Sequence, residues 1–576
     1  VGAWPESAWS QMSFPHALHD GQRTDRALRH AAAARLGLAM GLALLAGLGV
    51  TGALAPLVAT LAGDGASGAP PSASHPYAAH QLVVSSSLSP DALVHYIRTH
   101  ARLVVSTSER PSGVSDTRVL TLGTGQRVPA AAAAIAKLPA VRYAVPDYLA
   151  TVADATGTVA ATRAAGGPRS GPHDGLPPGT PAWVPDDPGD TGRPRGWEKL
   201  QWNFLPAEGV NAPEAWANLR ADHRPGARGV VIAILDSGVA YRDWGNFKRS
   251  PDFEGTRFVE PCDLVTGTLR AGRCSDRFPL DRLGHGTFVA GTIAEATDNG
   301  IGLTGLAYRA SIMPVRVLNA SGSGTASTIA AGVRYAVHHG ARVINLSVEF
   351  PPGTTASQIP ELLAALRFAH DRGVVLVAAA GNDYGTTVDY PAAAPDVIAV
   401  GATTADGCLA AYSDIGRQVV LAAPGGGDDS PSLHTANCHP SRNLPDVYQM
   451  TFPNPASGGT AAEVDSFVMQ SGWFGTSMAT PDVSAAAAMV IASGVLGPRP
   501  SPDAILARLE ATARHLAGAA PNPDYGYGLL DIGAATANGG PLTPTTTITT
   551  TTPTGPTITG TTTTTTIAAG ARVSRP

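Results

Sequence analysis

The chain has 576 residues, more than one ordinary domain needs, so a large core-forming unit with accessory segments is expected. Its 40 basic and 45 acidic residues give a formal net charge of -5, which provides neither a basic face for nucleic acid nor an acidic block for a charged partner. The 65 Gly and 48 Pro, with only 15% charged residues, indicate several linkers around an apolar core.

Residues 1–63 are predicted to form an N-terminal extension with an export segment. Arginines that end with Arg35 precede an uncharged run over residues 36–63, rich in Leu, Ala, Gly and Val. This order is typical of a signal peptide in a secreted protein, and cleavage after Ala62 is the preferred interpretation. The run reaches transmembrane length, so an uncleaved anchor with the rest of the chain outside the cell stays open, although Pro56 disfavours it. Membrane contact is expected only in that second case.

Residues 80–153 are predicted to form a small α+β domain. The elements expected from the apolar pattern are a strand from Gln81, a helix over 90–100, a strand over 117–122, a helix over 130–138 and a strand over 141–145 that ends before Pro146. Roughly seventy residues suffice for two helices on one sheet.

Two segments are too poor in apolar residues to fold alone. Residues 154–195 consist mainly of Gly, Pro, Asp and Thr and are predicted to be a linker. Residues 538–576 form a Thr-rich low-complexity tail, predicted to be a disordered or glycosylated extension.

Residues 200–537 are predicted to form the main domain. Buried-strand runs alternate with helical stretches, the strands over 230–235, 343–346, 374–380 and 397–401 and the helices over 286–295, 326–339 and 483–493. This alternation predicts an α/β fold, a mostly parallel sheet with helices on both faces.

The four cysteines contain no CxxC pair, which argues against a tetrahedral zinc site and allows two disulfides in an oxidising compartment. Three pairings are open, and proximity in the sequence favours Cys262 with Cys274 and Cys408 with Cys438.

Four residues are suited to acyl transfer by a serine, which needs a base, a carboxylate that orients it, and donors for the oxyanion. Asp236 ends a buried strand, His285 opens a helix of small residues, Asn382 follows another buried strand, and Ser477 lies at a helix N-terminus. Each has a structural alternative, such as a turn residue or a helix cap.

Taken together, in the order Asp, His, Asn, Ser, these segments resemble the subtilisin-like serine proteases, or subtilases, over residues 202–535. The resemblance implies a subtilisin-like fold and a secreted serine endopeptidase that acts on proteins or peptides without a cofactor. In it Asp236 would orient the base His285, Ser477 would form the acyl-enzyme, and Asn382 with the Ser477 N–H would form the oxyanion hole.

Residues 80–153 are also similar to the inhibitory propeptide of this family. That similarity implies a self-processing zymogen whose propeptide is an intramolecular inhibitor.

The sequence departs from the family where the substrate is expected to bind. Ser347, Glu349 and Ala380 are the expected substrate-binding residues, but Glu349 and Phe350 stand where the family usually has two glycines. A glutamate at this edge favours basic substrate side chains if its charge is not screened by solvent.

Structural calcium is a further implication of the resemblance. Residues 298–303 resemble a loop that presents Asn and carbonyl oxygens to such an ion. A glycine-rich turn without metal is the alternative, and the metal ligands stay unassigned.

Two other functions compete with the protease. A catalytically silent subtilase-like module for adhesion or display is disfavoured by the intact Asp, His, Asn and Ser set. An esterase is disfavoured by the order of the triad and by Ala479 in place of the second glycine of G-x-S-x-G.

Overall fold

The computed structural model describes residues 76–107, 116–153, 183–270, 272–431, 438–439, 443–453 and 464–539. The predicted export segment, most of the predicted linker and the predicted tail beyond residue 539 lie outside these ranges. Within the described part of the chain, no helix is both long and apolar enough to cross a membrane.

The N-terminal module, residues 77–153, is an antiparallel sheet with two helices. Its elements are β1 (Tyr77–Ser86), α1 (Pro90–His100), β2 (Val105–Thr107), β3 (Thr117–Leu122), α2 (Val128–Ile135) and β4 (Val141–Val152). The strand order is β4-β1-β3-β2. Helix α1 begins where the Ser89 side chain accepts a hydrogen bond from the Ala92 N–H, and it buries Leu93 and Ile97 against the sheet.

The main body begins with irregular structure and then alternates strands with helices. Its helices are α3 (Trp197–Leu200), α4 (Ala212–Ala221), α5 (His285–Ala294), α6 (Ala326–His338), α7 (Pro360–Asp371), α8 (Thr476–Ser493), α9 (Pro502–Thr512) and α10 (Ile532–Thr536). Its strands are β5 (Val231–Asp236), β6 (Arg257–Phe258), β7 (Cys262–Asp263), β8 (Leu269–Arg270), β9 (Arg273–Cys274), β10 (Ser311–Arg316), β11 (Ser323–Thr325), β12 (Val343–Leu346), β13 (Val348–Glu349), β14 (Val375–Ala379), β15 (Ile398–Thr403), β16 (Val419–Pro424), β17 (Val447–Thr451) and β18 (Val468–Trp473).

The central sheet is parallel, in the order β16-β15-β14-β12-β5-β10-β6, with β7 also paired to β10. Successive residues of β5 point to opposite faces, so Ile232 and Ile234 join one hydrophobic core while Ala233 and Leu235 join the other. Helices cover both faces, which confirms the α/β fold expected from the sequence.

The two largest errors in the predicted element boundaries concern β4 and α8. Strand β4 does not end before Pro146 but continues to Val152, because its second half pairs antiparallel with β11 and β13 of the main body. Helix α8 begins at Thr476 rather than at residue 483, and Pro481 lies inside it. Both differences arise from packing within the folded chain, which the local pattern does not report.

Two disulfides join Cys262 to Cys274 and Cys408 to Cys438, with S–S distances of 2.03 Å and 1.97 Å. They are the pairings favoured by sequence proximity. The first closes the loop around the β8–β9 hairpin at the edge of the central sheet.

Candidate active site

Asp236 is the last residue of β5, at the carboxyl edge of the central sheet, where parallel α/β sheets place their functional side chains. Its carboxylate is completely buried and accepts a hydrogen bond from the backbone N–H of Ser237 at 2.6 Å. The backbone therefore helps to orient the carboxylate.

His285 is the first residue of α5, and its ring faces Asp236. Its Nδ1 lies 2.8 Å from Asp236 Oδ1 and 3.0 Å from Oδ2. A proton on Nδ1 leaves Nε2 as the basic nitrogen, so the pair has the geometry of an oriented general base. A side chain at Gly286 would approach the backbone oxygen of Gly238 to 2.1 Å, so glycine is required for this close contact.

Asp281 holds the turn that leads into α5, and the sequence patterns did not single it out. Its carboxylate accepts hydrogen bonds from the Ser237 hydroxyl and from the backbone and hydroxyl of Thr287, at 2.7–2.9 Å. It also accepts hydrogen bonds from the backbone N–H groups of Leu283 and Gly284. An Asp four residues before the histidine is the only signal that the sequence offers for this role.

Ser477 is the second residue of α8, and Gly475, at φ 150°, caps the helix. The hydroxyl of Ser477 donates to the carbonyl oxygen of Ser347 at 3.1 Å rather than to His285. The hydroxyl of Ser347 in turn donates to the carbonyl oxygen of Ser477 at 3.0 Å. These reciprocal bonds fix the serine against the link between β12 and β13.

Asn382 follows β14 and is oriented by α8. Its Oδ1 accepts the backbone N–H of Thr476 at 2.9 Å, so its NH₂ group turns away from the helix. Nδ2 then donates to Glu349 Oε2 at 3.1 Å. The structure therefore brings together the predicted oxyanion donor and one predicted substrate-binding residue.

Strand β4 of the N-terminal module lies in the cleft between β11 and β13. The N–H of Val152 donates to the carbonyl oxygen of Gly322, and the N–H of Ala153 donates to the carbonyl oxygen of Ser347 at 3.3 Å. The carbonyl oxygen of Ala153 accepts the backbone N–H of Ser477 at 3.0 Å. A carbonyl of this chain thus occupies the position where the helix N-terminus stabilises negative charge.

The remaining predicted substrate-binding residue, Ala380, has both backbone groups engaged inside the protein. Its N–H donates to Val400, and its carbonyl accepts the N–H of Asp389. Its side chain is completely buried in the core that contains α6 and α7. The described contacts do not connect Ala380 directly with Ala153.

The hairpin of β17 and β18 borders the site and was not expected from the sequence. Trp473 lies with its ring centre 6.0 Å from that of His285 and 5.5 Å from that of Phe288. The Thr451 hydroxyl donates to the carbonyl of Gly284, next to the histidine. The hairpin therefore supports the start of α5.

A second group of acidic residues surrounds the loop over residues 298–303. Asp187 accepts the backbone N–H groups of Asp298 and Asn299, and Asp252 accepts the Asn299 amide and the Leu303 N–H. Burial raises the pKa of Asp187 to about 6 and that of Asp252 to about 8. Glu295 is fully buried beside them, and among the described residues neither of its carboxylate oxygens has a hydrogen-bond partner.

Comparison with known proteins places these residues in a family context. The sequence model of the subtilase family matches residues 227–528. Thermitase of Thermoactinomyces vulgaris is 33% identical over 336 residues, 58% of this chain and 94% of the relative. Subtilisin DY of Bacillus licheniformis is 35% identical over 310 residues, 53% of this chain and 90% of the relative. A solved protease structure from Pseudoalteromonas arctica PAMC 21717 covers 62% of this chain and 99% of its own, with 27% identity and a TM-score of 0.46.

Proposed function

The chain belongs to the subtilase family and is a serine-type endopeptidase, and we propose that it is a secreted precursor that cleaves itself between Ala153 and Asp154. The observation that carries the proposal is the 3.0 Å hydrogen bond from the Ser477 N–H to the carbonyl oxygen of Ala153. It supports the proposal because it holds the carbonyl oxygen of Ala153 on the backbone N–H that is expected to stabilise the oxyanion.

The proposed reaction begins with His285, whose Nδ1–H is held by Asp236 so that Nε2 is free of that proton. Rotation of the Ser477 side chain away from Ser347 brings its hydroxyl to Nε2. The hydroxyl oxygen attacks the carbonyl carbon of Ala153 while its proton moves to His285. Collapse of the tetrahedral intermediate passes that proton to the amine of Asp154, and water then hydrolyses the acyl-enzyme.

Two donors are proposed for the negative oxygen of the intermediate. The backbone N–H of Ser477 already contacts the Ala153 oxygen. The second is Asn382 Nδ2, whose NH₂ group donates one hydrogen to Glu349 and carries a second one for the oxyanion. One such donor is worth about 3 kcal/mol of transition-state stabilisation.

The N-terminal module is proposed to stay bound after cleavage as an intramolecular inhibitor. Strand β4 pairs with β11 and β13 along both sides of the cleft, so substrate cannot enter while it remains. Asp147, fully buried, accepts hydrogen bonds from the backbone N–H and the hydroxyl of Ser327 at the start of α6.

Structural calcium, a usual feature of the family, is proposed for the acidic group around residues 298–303. Asp187 and Asp252 would hold the ion with oxygens from that loop, the ligand type that calcium prefers. The unpartnered buried oxygens of Glu295 support the need for a cation here. The ion would stabilise the fold and takes no part in acyl transfer.

Secretion is supported by the export-type segment of the sequence, which lies outside the described residues, and by the two disulfides. Disulfides persist in oxidising compartments and are rare in the cytosol.

The test is to express the chain from residue 72 onward as wild type and as Ser477→Ala, with calcium, and to follow both by intact mass and casein hydrolysis. We expect only the wild type to release an N-terminal fragment, to expose Asp154 as a new N-terminus and to digest casein. Cleavage elsewhere would overturn the assignment of Ala153. If both forms stay intact and inert, the silent-module alternative replaces the proposal.

A further inference from the structure

A buried ion pair lies at the carboxyl edge of the central sheet, one strand away from Asp236. Nη1 of Arg316, the last residue of β10, lies 2.8 Å from Oδ2 of Asp263, the last residue of β7. The arginine is 5% exposed and the aspartate 2% exposed. Neither side chain takes part in the proposed reaction. Burial of two charges is costly, so a pair in this position calls for a role beyond stability.

The ends of these strands form one row across the sheet. Arg316 is paired in register with Asp236 on one side and with Asp263 on the other. Ile232 and Ile312, a pair earlier on the same two strands, belong to one core together with residues of α5. Since side chains alternate along a strand, Asp236 and Arg316 point to that same face. With about 4.8 Å between strands, the arginine lies between two carboxylates in the sheet.

The end of β10 also holds Asp236 through the backbone. The carbonyl oxygen of Asp236 accepts hydrogen bonds from the N–H groups of Val317 and Leu318 at 2.9 and 3.2 Å. The carbonyl oxygen of Arg316 accepts the N–H of Leu264 at 2.9 Å, which joins β10 to the segment after β7. A shift of the arginine is therefore transmitted to the residue that contacts the histidine.

Asp263 is fixed by its own loop. Its Oδ1 accepts the backbone N–H groups of Val265 and Thr266 at 2.9 and 3.1 Å, which leaves Oδ2 for the arginine. Its N–H donates to the carbonyl oxygen of Asp276 at 2.9 Å, and the disulfide at the preceding residue closes the same loop. A carboxylate held in this way restricts the arginine to one conformation.

We propose that Arg316 and Asp263 are positioning residues for Asp236 and His285. The ion pair fixes the end of β10, and with it the two N–H groups that hold the Asp236 backbone. Asp263 also neutralises the arginine, whose uncompensated charge would disfavour a second positive charge on His285. The inference rests on the roles proposed for Asp236 and His285.

Other titratable or charged groups lie on the elements around the catalytic histidine. Asp236 bonds its ring, Asp281 accepts N–H groups of the preceding turn, and Arg282 of that turn is exposed. The fully buried Asp482 lies on α8, which packs against α5, and Glu349 lies on β13 in the cleft. These groups stay the same when only the ion pair is substituted, so they contribute equally to every pH profile.

The experiment measures kcat/KM between pH 5 and 9 for the activated full chain and its variants, with a chromogenic peptide that the parent cleaves. The acid limb of this profile reports the pKa of the catalytic base in the free enzyme. Asp263→Asn leaves the arginine charge uncompensated and should move the limb to lower pH by about half a unit. The double variant Asp263→Asn with Arg316→Gln carries neither charge and should return the limb to within about 0.2 units of the parent. An acid limb at the same pH in Asp263→Asn and the parent would overturn the proposal.

Glu260 provides the matched control. It lies just before β7 and forms an ion pair with Arg277 at 3.2 Å, with both side chains largely in solvent. Glu260→Gln removes one negative charge from the same segment, but solvent screens that charge, so the limb should stay where it is in the parent. An equal shift in Glu260→Gln and Asp263→Asn would overturn the specific role of the buried pair.

A second comparison decides if Asp263→Asn does not fold. Arg316→Lys keeps the charge and should retain kcat within about threefold, whereas the double variant should lose about tenfold in kcat at unchanged KM, because Asp236 is no longer held in position. Equal kcat in the two would overturn the proposal. His285→Ala tests the roles on which the inference rests: full activity in that variant would count against the proposed reaction itself, whereas unchanged pair variants count against the positioning role alone.

Discussion

The side-chain amide of Asn382 donates a hydrogen bond to the carboxylate of Glu349, with 3.1 Å between Nδ2 and Oε2. The other end of the amide is fixed by the Thr476 N–H, so Glu349 and an oxyanion would share the two hydrogens of one oriented NH₂ group. Glu349 lies on β13, the strand that pairs with the segment ending at Ala153. With the roles proposed for these two residues, one hydrogen bond links substrate recognition to oxyanion stabilisation.

A basic residue immediately before the scissile bond is expected to favour catalysis by attracting Glu349 away from Asn382. A charge pair at this partly exposed position is worth about 1 kcal/mol, or about fivefold in rate. Glu349→Gln should lower kcat/KM about fivefold for peptides with Arg at that position and leave peptides with Ala unchanged or improved. An equal loss with both substrates would show that Glu349 acts only on the fold of the cleft.

Asp147 is expected to hold the N-terminal module on the main body after cleavage. Hydrogen bonds to a charged group contribute about 1.5–3 kcal/mol, and Asp147 accepts two from Ser327. Asp147→Ala should therefore shorten the delay between self-cleavage and the appearance of peptidase activity by at least tenfold. Exposed Asp91, on α1, provides the control, since Asp91→Ala should leave the delay unchanged.

The same interface is expected to weaken as pH rises. Glu361, at the start of α7, is fully buried; burial raises its pKa well above the ordinary value, and the nearby charge of Asp147 raises it further. Tyr143 of the module faces it, and Arg334 faces Tyr143. Because the charge of Asp147 leaves with the module, the pKa of Glu361 is higher in the bound state than after release, so this stabilisation is complete at low pH and is lost as pH rises through the pKa in the complex.

The measurement is the activation delay of the precursor between pH 5 and 9, corrected for the pH profile of the mature enzyme. The delay should shorten with rising pH in the wild type. Glu361→Gln, which is neutral at every pH, should give a long delay that changes little with pH. The same slope in both forms would assign the pH dependence to another group.

The sequence was sufficient to predict that Asp236 and Asn382 lie at the carboxyl edge of the sheet. Asp236 and Asn382 each follow an uninterrupted apolar run, and parallel strands bring such ends together. Asp281 and the β17–β18 hairpin were not predicted, because their roles depend on hydrogen bonds between segments distant in sequence or on strands without a clear apolar alternation. The continuation of β4 past Pro146 depends likewise on β11 and β13, which supply its partners.

Removal of calcium should make the stability of the fold depend on pH through the acidic group at Asp252. Burial raises the pKa of Asp252 from 3.8 to about 8 and that of Asp187 to about 6, so without a cation the folded state binds protons more tightly than the unfolded state. The contribution of these two groups to stability is therefore complete below about pH 4. It is lost progressively as pH rises through about 6 and about 8.

The prediction is tested on the Ser477→Ala chain by urea unfolding in chelator at pH 5, 7 and 9, with Asp252→Asn as the paired variant. The parent should lose stability toward pH 9 more steeply than Asp252→Asn, because the variant cannot develop that buried charge. Calcium in excess should remove most of the difference, since it binds only the folded state and neutralises the carboxylates. Parallel slopes in chelator would mean that Asp252 takes up or releases no proton on unfolding between pH 5 and 9, and the assignment of this group as the structural calcium site would lose its electrostatic basis.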